Sequence, residues 1–476
     1  MNKKLIDGFI TISVGIILWL LPVPSGLTQQ AWHLFAVFVA TILGFILQPL
    51  PMGAVAFISI SFAVTSGLLQ LSQALSGFSD STIWLIVAAF TFARGFIKTG
   101  LGRRIAFQFM KIWGGNTLFL AYSMVATDLV MSIATPSNTA RAGGVIFPIA
   151  RSLCNAFDSH PGPTARKFGA FLMQTVYQCN GVTSAMFMTA MAGNPLCVVL
   201  AKQTLNINIS WFGWALAASV PGIIALIVIP LVIYLVYPPE ITETPEAKTM
   251  AKQALAEMGP MSAAEKVLMI VFFGAVALWI SAGLQHMFPE FPFPRMSATA
   301  VALLGVAVML LTNVLAWRDI IEEGGAWDTL IWMGSIVALA KFLAYFGFIP
   351  WFAATVSASI SHVAWIPALF ILTVLYLYSQ YAFASLTAHI TALYSVFLAL
   401  AYAAGAPPVL TALVFAFSSS LCMSLTHYAA GPAPIFYNAG YVSQVIWWRI
   451  GFIVSVINII IWVGLGSIWW KAIGLW

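Results

Sequence analysis

The sequence predicts an all-α polytopic membrane protein, and two observations carry that prediction. The chain has 476 residues, 61% of them hydrophobic and only 7% charged, whereas a soluble domain needs roughly a quarter of its residues charged to cover its surface. Its apolar residues also fall in runs of about 20, the length an α-helix needs to cross the hydrocarbon layer.

Taken in order, helices are predicted near 5–22, 32–49, 52–71, 82–99, 170–200, 211–237, 266–287, 297–316, 327–346, 409–440 and 451–469. The first stretch, MNKKLIDGFITISVGIILWLLP, has the basic front and apolar middle of a signal peptide, but the many spans behind it make it an uncleaved first helix. Two longer tracts, 118–150 and 364–402, have room for two half-crossings each. If each tract dips in and returns to the same side, the chain makes eleven crossings and its termini lie on opposite faces. The basic residues favour that count. With the N-terminus inside, 13 Lys and Arg lie in cytoplasmic segments, against 3 outside, Lys202, Arg295 and Lys471, as the positive-inside rule requires. The expected place is therefore the cell membrane, with a cytoplasmic N-terminus.

That topology also accounts for the net charge of +6. No basic cluster is interleaved with aromatics in a soluble segment, so nucleic acid is not an expected partner. LGRRIAFQFMKIWG (101–114) reads as a helix lying on the cytoplasmic surface. Cys154, Cys179, Cys197 and Cys422 stand among apolar neighbours without metal-ligand spacing, and are expected to be small buried hydrophobes.

A polar linker, YPPEITETPEAKTMAKQALAEMGPMSAAEK (237–266), lies near the midpoint and suggests two halves. At an offset of 247, STIWLIVAAFTFARGFIKTGL (81–101) matches DTLIWMGSIVALAKFLAYFGF (328–348). At 248, Ser137-Asn138-Thr139-Ala140-Arg141 meets Ser385-Leu386-Thr387-Ala388-His389. At 238, Ala192-Gly193-Asn194-Pro195 meets Ala430-Gly431-Pro432-Ala433-Pro434. An odd number of crossings separates the copies, so the second is inverted. Inverted repeats with interrupted helices at matching places are the sequence sign of a secondary transporter whose site lies near the midplane.

The interruptions indicate the site. Pro136 disfavours helix at Thr135, so the chain opens at 135–139 and restarts at Ser137 or Asn138. Ser, Asn and Thr at a helix N-terminus suit a carboxylate or phosphate; an ordinary capped bend is the plain alternative. Arg141, four residues past Ser137, projects toward the tip, with His389 in the same place after Ser385. Arg141 could equally pair with Asp128, and the two roles are compatible. Gly193-Asn194-Pro195 and Gly431-Pro432 are expected to unwind their spans and line a cavity, or simply to kink packing helices. His427 is either a polar neighbour of the second break or an interior histidine. From Asp328 to Trp476 the chain has no further Asp or Glu, while Lys341, His362, His389, His427 and Arg449 lie there. Cation carriers place carboxylates at the site, so an anionic cargo is expected. HExxH, a Walker A loop, a GxSxG elbow and a paired-carboxylate metal site are all missing from the sequence, and no enzymatic activity is expected.

SNTARAGGVIFPIA and ASLTAH in the hairpins, with TSAMFMTAMAGNPL and SLTHYAAGPAPIFY in the broken spans, together resemble the divalent anion:sodium symporter, or Indy, family. The resemblance spans the chain and is greatest for the branch of bacterial citrate/succinate and tartrate/succinate antiporters and plastid 2-oxoglutarate/malate translocators. It implies a homodimer, in membrane lipid, of elevator-type transporters for dicarboxylates such as 2-oxoglutarate, malate or succinate. It also implies scaffold helices at 1–115 and 266–350, transport-domain halves at 116–237 and 351–476, and a cytoplasmic linker at 238–265. By the same resemblance Ser137, Asn138, Thr139, Ser385 and Thr387 form the paired tips that hold substrate carboxylates, beside Gly193-Asn194 and Gly431-Pro432. Sodium-coupled members tend to carry Ser-Asn-Thr in both tips, whereas this chain has Leu386 in the second, a residue with no oxygen to offer. Exchange without sodium or other cofactor, with Arg141 and His389 balancing the dianion, is the resulting expectation. Sodium-coupled symport on the same fold is the alternative.

Overall fold

A computed structural model describes residues 3–287, 290, 296–352, 355 and 364–476. Arg295 and His362 fall outside the described residues. Among those described the chain is helical, with one isolated bridge, Asn116 to Glu243, and no strand. In chain order, α1 is Lys3–Leu20, α2 Gln29–Leu47, α3 Met52–Thr65, α4 Ser81–Thr99, α5 Leu101–Trp113 and α6 Thr117–Ser132. Helix α7 starts as Asn138–Arg141, passes a π-turn at Ala142–Ile146 and continues as Phe147–Ala156. Then come α8 Gly169–Met186, α9 Gly193–Leu205, α10 Trp211–Val236, α11 Pro245–Met258, α12 Ala263–Met287, α13 Ala298–Leu311 and α14 Gly324–Tyr345. The last are α15 Trp365–Tyr378, α16 Leu386–Ala403, α17 Pro408–Leu421, α18 Ala433–Asn438 and α19 Gln444–Asn458, the last of these running on through a π-turn to Gly466–Ala472.

Eight of the described helical segments are long and apolar enough to cross a membrane by length and composition. Both arms of the second tract, Trp365–Ala382 and Leu386–Ala403, are among them, while the first arm of the first tract, Thr117–Ser132, is shorter. Peripheral helices expose apolar side chains as lipid-facing surfaces do: Leu5, Phe9 and Ile12 on α1, Ile223, Ile227 and Leu235 on α10. The centre has the opposite character. Every residue of α8 is buried, as is nearly all of α17, and α8 packs on α10 and α17 while α16 packs on α9 and α17.

The central linker is an ordered part of the fold. Glu240 and Ile241 N–H groups donate to the carbonyls of Arg166 and Lys167, at 3.1 and 2.8 Å, and Thr117 N–H donates to Thr242 O at 3.0 Å. Helix α11, started by Pro245, lies against the amphipathic α5. At its far end Arg104 of α5 donates to Glu265 Oε1 at 2.6 Å and to Gly259 O at 2.9 Å. Glu265 also closes a capping box with Ser262 at the start of α12. Both charges are buried, so the guanidinium and carboxylate depend on each other for solvation.

Candidate functional site

The two hairpins turn by the same local chemistry. Ser137 and Ser385 have extended backbones, and each side-chain oxygen caps the helix it precedes, accepting from Ala140 N–H at 3.1 Å and Ala388 N–H at 3.4 Å. The restart expected at Ser137 or Asn138 is found at Asn138. Ser137 and Thr139 are half-buried, as are Ser385 and Thr387, while Asn138 and Leu386 turn inward. Asn138 Oδ1 accepts from Thr139 N–H at 2.9 Å, and its Nδ2 faces Met423 Sδ at 3.9 Å, beside the second broken span.

The broken spans leave carbonyls without helical partners, and fixed side chains take them up. After α8 the chain runs through an extended Phe187, a 3₁₀ turn at Met188–Ala190 and an extended Met191 before α9 begins at Gly193. The amide of Asn194 donates to Ser184 O at 2.7 Å and Phe187 O at 2.9 Å, while its oxygen accepts from Ser420 of the other half at 3.1 Å. In the second break, Tyr177 Oη donates to Met423 O at 2.6 Å and Gln178 to Ser424 O at 3.3 Å. Each break is thus held partly by residues of the first half, on α8 or α9.

The hairpins and breaks meet crosswise. A Cβ on Gly431, exposed ahead of buried Pro432, would lie 2.2 Å from Thr139 Oγ1; one on buried Gly193 would lie 2.5 Å from Ile390 Cδ1. The first hairpin therefore abuts the second break, and the second hairpin the first break.

Arg141 and His389 sit behind the tips, fully buried. The Arg141 guanidinium donates to Asp128 Oδ1 at 3.0 Å, Thr135 O at 2.6 Å, Ser184 Oγ at 3.1 Å and Ala190 O. Asp128 is itself held by Asn180 at 2.9 Å and by the hydroxyl of Thr183. Of the two placements open for Arg141, pairing with Asp128 is the one observed, and the side chain turns inward from the tip face. His389 stays within its hairpin, with Nε2 3.0 Å from Tyr376 O and 2.8 Å from Ser379 Oγ. A carbonyl only accepts, so Nε2 carries the proton, and Nδ1 has no partner among the described residues. His427 is half-buried, accepting from Trp448 Nε1 at 3.1 Å on its Nδ1.

Sequence reasoning did not reach Tyr177, Gln178, Asn180, Thr183 and Ser184. Their signal was present: polar side chains crowded into one stretch of an apolar span, where each needs a partner. The arrangement puts hydroxyls and two helix N-termini at the accessible tips, with a hydrogen-bonded polar layer beneath, a chemistry fit for an anion with more than one carboxylate.

A family model described as the sodium:sulfate symporter transmembrane region matches residues 2–476. YflS of Bacillus subtilis, named provisionally as a malate transporter, is 52% identical over 474 residues, 99% of this chain and 97% of that one. The chloroplastic dicarboxylate transporter 1 of Spinacia oleracea is 45% identical over 98% of this chain and 81% of its own. Among solved structures, the Alcanivorax borkumensis YdaH transporter aligns over 99% of this chain and 97% of its own with a TM-score of 0.56 at 13% identity, a likeness of fold alone. The match to the family model runs through both hairpins and both broken spans, and the chain belongs to the sodium:sulfate symporter family.

Proposed function

We propose that this protein is a membrane transporter that exchanges one dicarboxylate for another, of the malate, succinate or 2-oxoglutarate class, without sodium. The hydroxyls of Ser137 and Thr139 would take one carboxylate and those of Ser385 and Thr387 the other, with Asn138, Gly193, Asn194, Gly431 and Pro432 shaping the space between. The N-termini of α7 and α16 each contribute about half an elementary charge toward the bound dianion. The names of the relatives support the substrate class and a transport rather than an enzymatic role.

The observation that carries sodium independence is Leu386. Its counterpart in the first tip, Asn138, offers an oxygen and an amide; Leu386 offers neither and is buried. Arg141 adds less to this reading than its charge suggests, because Asp128 already balances it. An empty carrier would leave the tips' polar groups unpaired during the crossing step, which favours exchange over net transport. The reading includes eleven crossings with two re-entrant hairpins, a cytoplasmic N-terminus in the cell membrane, and a homodimer. In each protomer 116–237 and 351–476 would move like an elevator against 1–115 and 266–350. Sodium symport is the second reading, favoured by the intact Ser-Asn-Thr of the first tip. Counterflow into succinate-loaded proteoliposomes, with and without sodium, decides between them: exchange that needs a sodium gradient refutes the first.

A further inference from the structure

The two halves match in sequence at Arg141 and His389, but their hydrogen bonds match differently. Arg141 makes four: to Asp128, to the hairpin carbonyl of Thr135, to the carbonyl of Ala190 in the helix break, and to Ser184 on the helix before the break. At the offset of 248, Asp128 corresponds to Tyr376 and Thr135 to Phe383; at 238, Ser184 corresponds to Cys422 and Ala190 to Tyr428. His389 reproduces only the first of these bonds, through Tyr376 O at 3.0 Å.

The other three converge on Gln380, a fully buried side chain in the turn that ends α15. Its Nε2 donates to Phe383 O at 3.1 Å and to Ala429 O, one residue past the counterpart of Ala190, also at 3.1 Å. Its Oε1 accepts from Cys422 Sγ at 3.5 Å. One amide therefore joins the backbone two residues before Ser385 to the backbone two residues before Gly431.

We infer that Gln380 is a positioning residue of the substrate site: it fixes the second tip against the second break, as Arg141 does for the first. The functional counterpart of Arg141 is thus divided between His389, which braces the hairpin, and Gln380, which ties hairpin to break. The division has a chemical reason. Asp128 demands a cation opposite it, whereas Tyr376 presents a neutral carbonyl, so the second half can use an uncharged amide for the same two carbonyl contacts. Carbonyls left without donors would turn away from one another and carry Ser385 out of register with Gly431.

This inference rests on the reading of the tips as a dicarboxylate site. It is tested by succinate counterflow with full-length protein in proteoliposomes, comparing wild type with Gln380→Glu, which keeps the shape but loses both donors, and Gln380→Met, which keeps the volume without burying a charge. The expected result is a KM about tenfold higher, from two lost amide-to-carbonyl bonds, with the maximal rate within about twofold of wild type. A purely structural role would instead lower the amount of active protein, and so the maximal rate, at unchanged KM; that result, or no change, overturns the proposal. If Gln380→Glu does not fold, Gln380→Met decides. Wild-type protein that exchanges no dicarboxylate refutes the functional reading; normal wild-type exchange with unaltered KM in the variants refutes the role of Gln380 alone.

Discussion

Thr139 Oγ1 occupies the space where a side chain on Gly431 would begin, 2.2 Å from an ideal Cβ. The side chain of a hairpin tip from one half therefore rests directly on the backbone of a helix break from the other. Gly431→Ala is expected to push Thr139 aside and reduce exchange by more than about tenfold while the protein stays folded, since a misplaced binding group costs rate well before it costs the fold. Gly144→Ala is the control, because a Cβ there meets nothing within 4 Å among the described residues. Counterflow rates of the two variants, normalised to purified protein, check the contrast.

Arg141 and Asp128 form a buried ion pair, and breaking one side leaves the other charge without a partner. Arg141→Ala is expected to cost about 3–5 kcal/mol of stability, and the double variant Arg141→Gln with Asp128→Asn to recover a large part of it. Thermal unfolding in detergent measures both. A single variant as stable as wild type would refute the pairing as a stabilising element.

Leu386→Asn gives the second tip the amide that the first already has. If wild-type uptake is indifferent to sodium, as proposed, uptake by this variant is expected to become sodium-stimulated, or at least to show weaker exchange in sodium-free buffer. Parallel assays in sodium and choline buffers read the difference; a variant identical to wild type in both would remove Leu386 as the determinant.

In the short helix Trp317–Ile321 before α14, Asp319 accepts from the Lys98 ammonium of α4, which holds its carboxyl below the usual carboxylate range. A depressed folded-state value means that the contribution is present at neutral pH and lost as pH falls below about 3.9, through the lower folded value. Lys98 is exposed to solvent, so Asp319→Asn is expected to cost at most about 1 kcal/mol at pH 7. The gap between variant and wild type closes under acid, as melting curves across pH would record.

Much of the site could be read from residues whose effects are local. Pro136 forces an opening before Ser137, and a serine ahead of each restart supplies the cap, so both tips follow from a few letters each. Gly193 and Gly431 likewise mark breaks because each lacks a Cβ where another segment comes close. The orientation of Arg141 was not fixed in this way. A residue one turn past a cap can point to the tip or away from it, and the choice follows from Asp128, Ser184 and Ala190, which arrive from other segments. Gln380 was hidden for the same reason: it is not aligned with Arg141, and only the folded chain brings Phe383 O and Ala429 O to one amide. The helix at Pro245–Met258 lay within a segment read as a plain connector, because its docking on α5 depends on Arg104 and Glu265, 161 positions apart.

That connector has a consequence for the integrity of the molecule. Its backbone is bonded to Arg166, Lys167 and the Gly115–Thr117 loop, and its end is gripped by Arg104. It acts as a weld and not as a leash. A single proteolytic nick within it would therefore not be expected to release either half, and two fragments produced separately have a ready-made seam along which to reassemble.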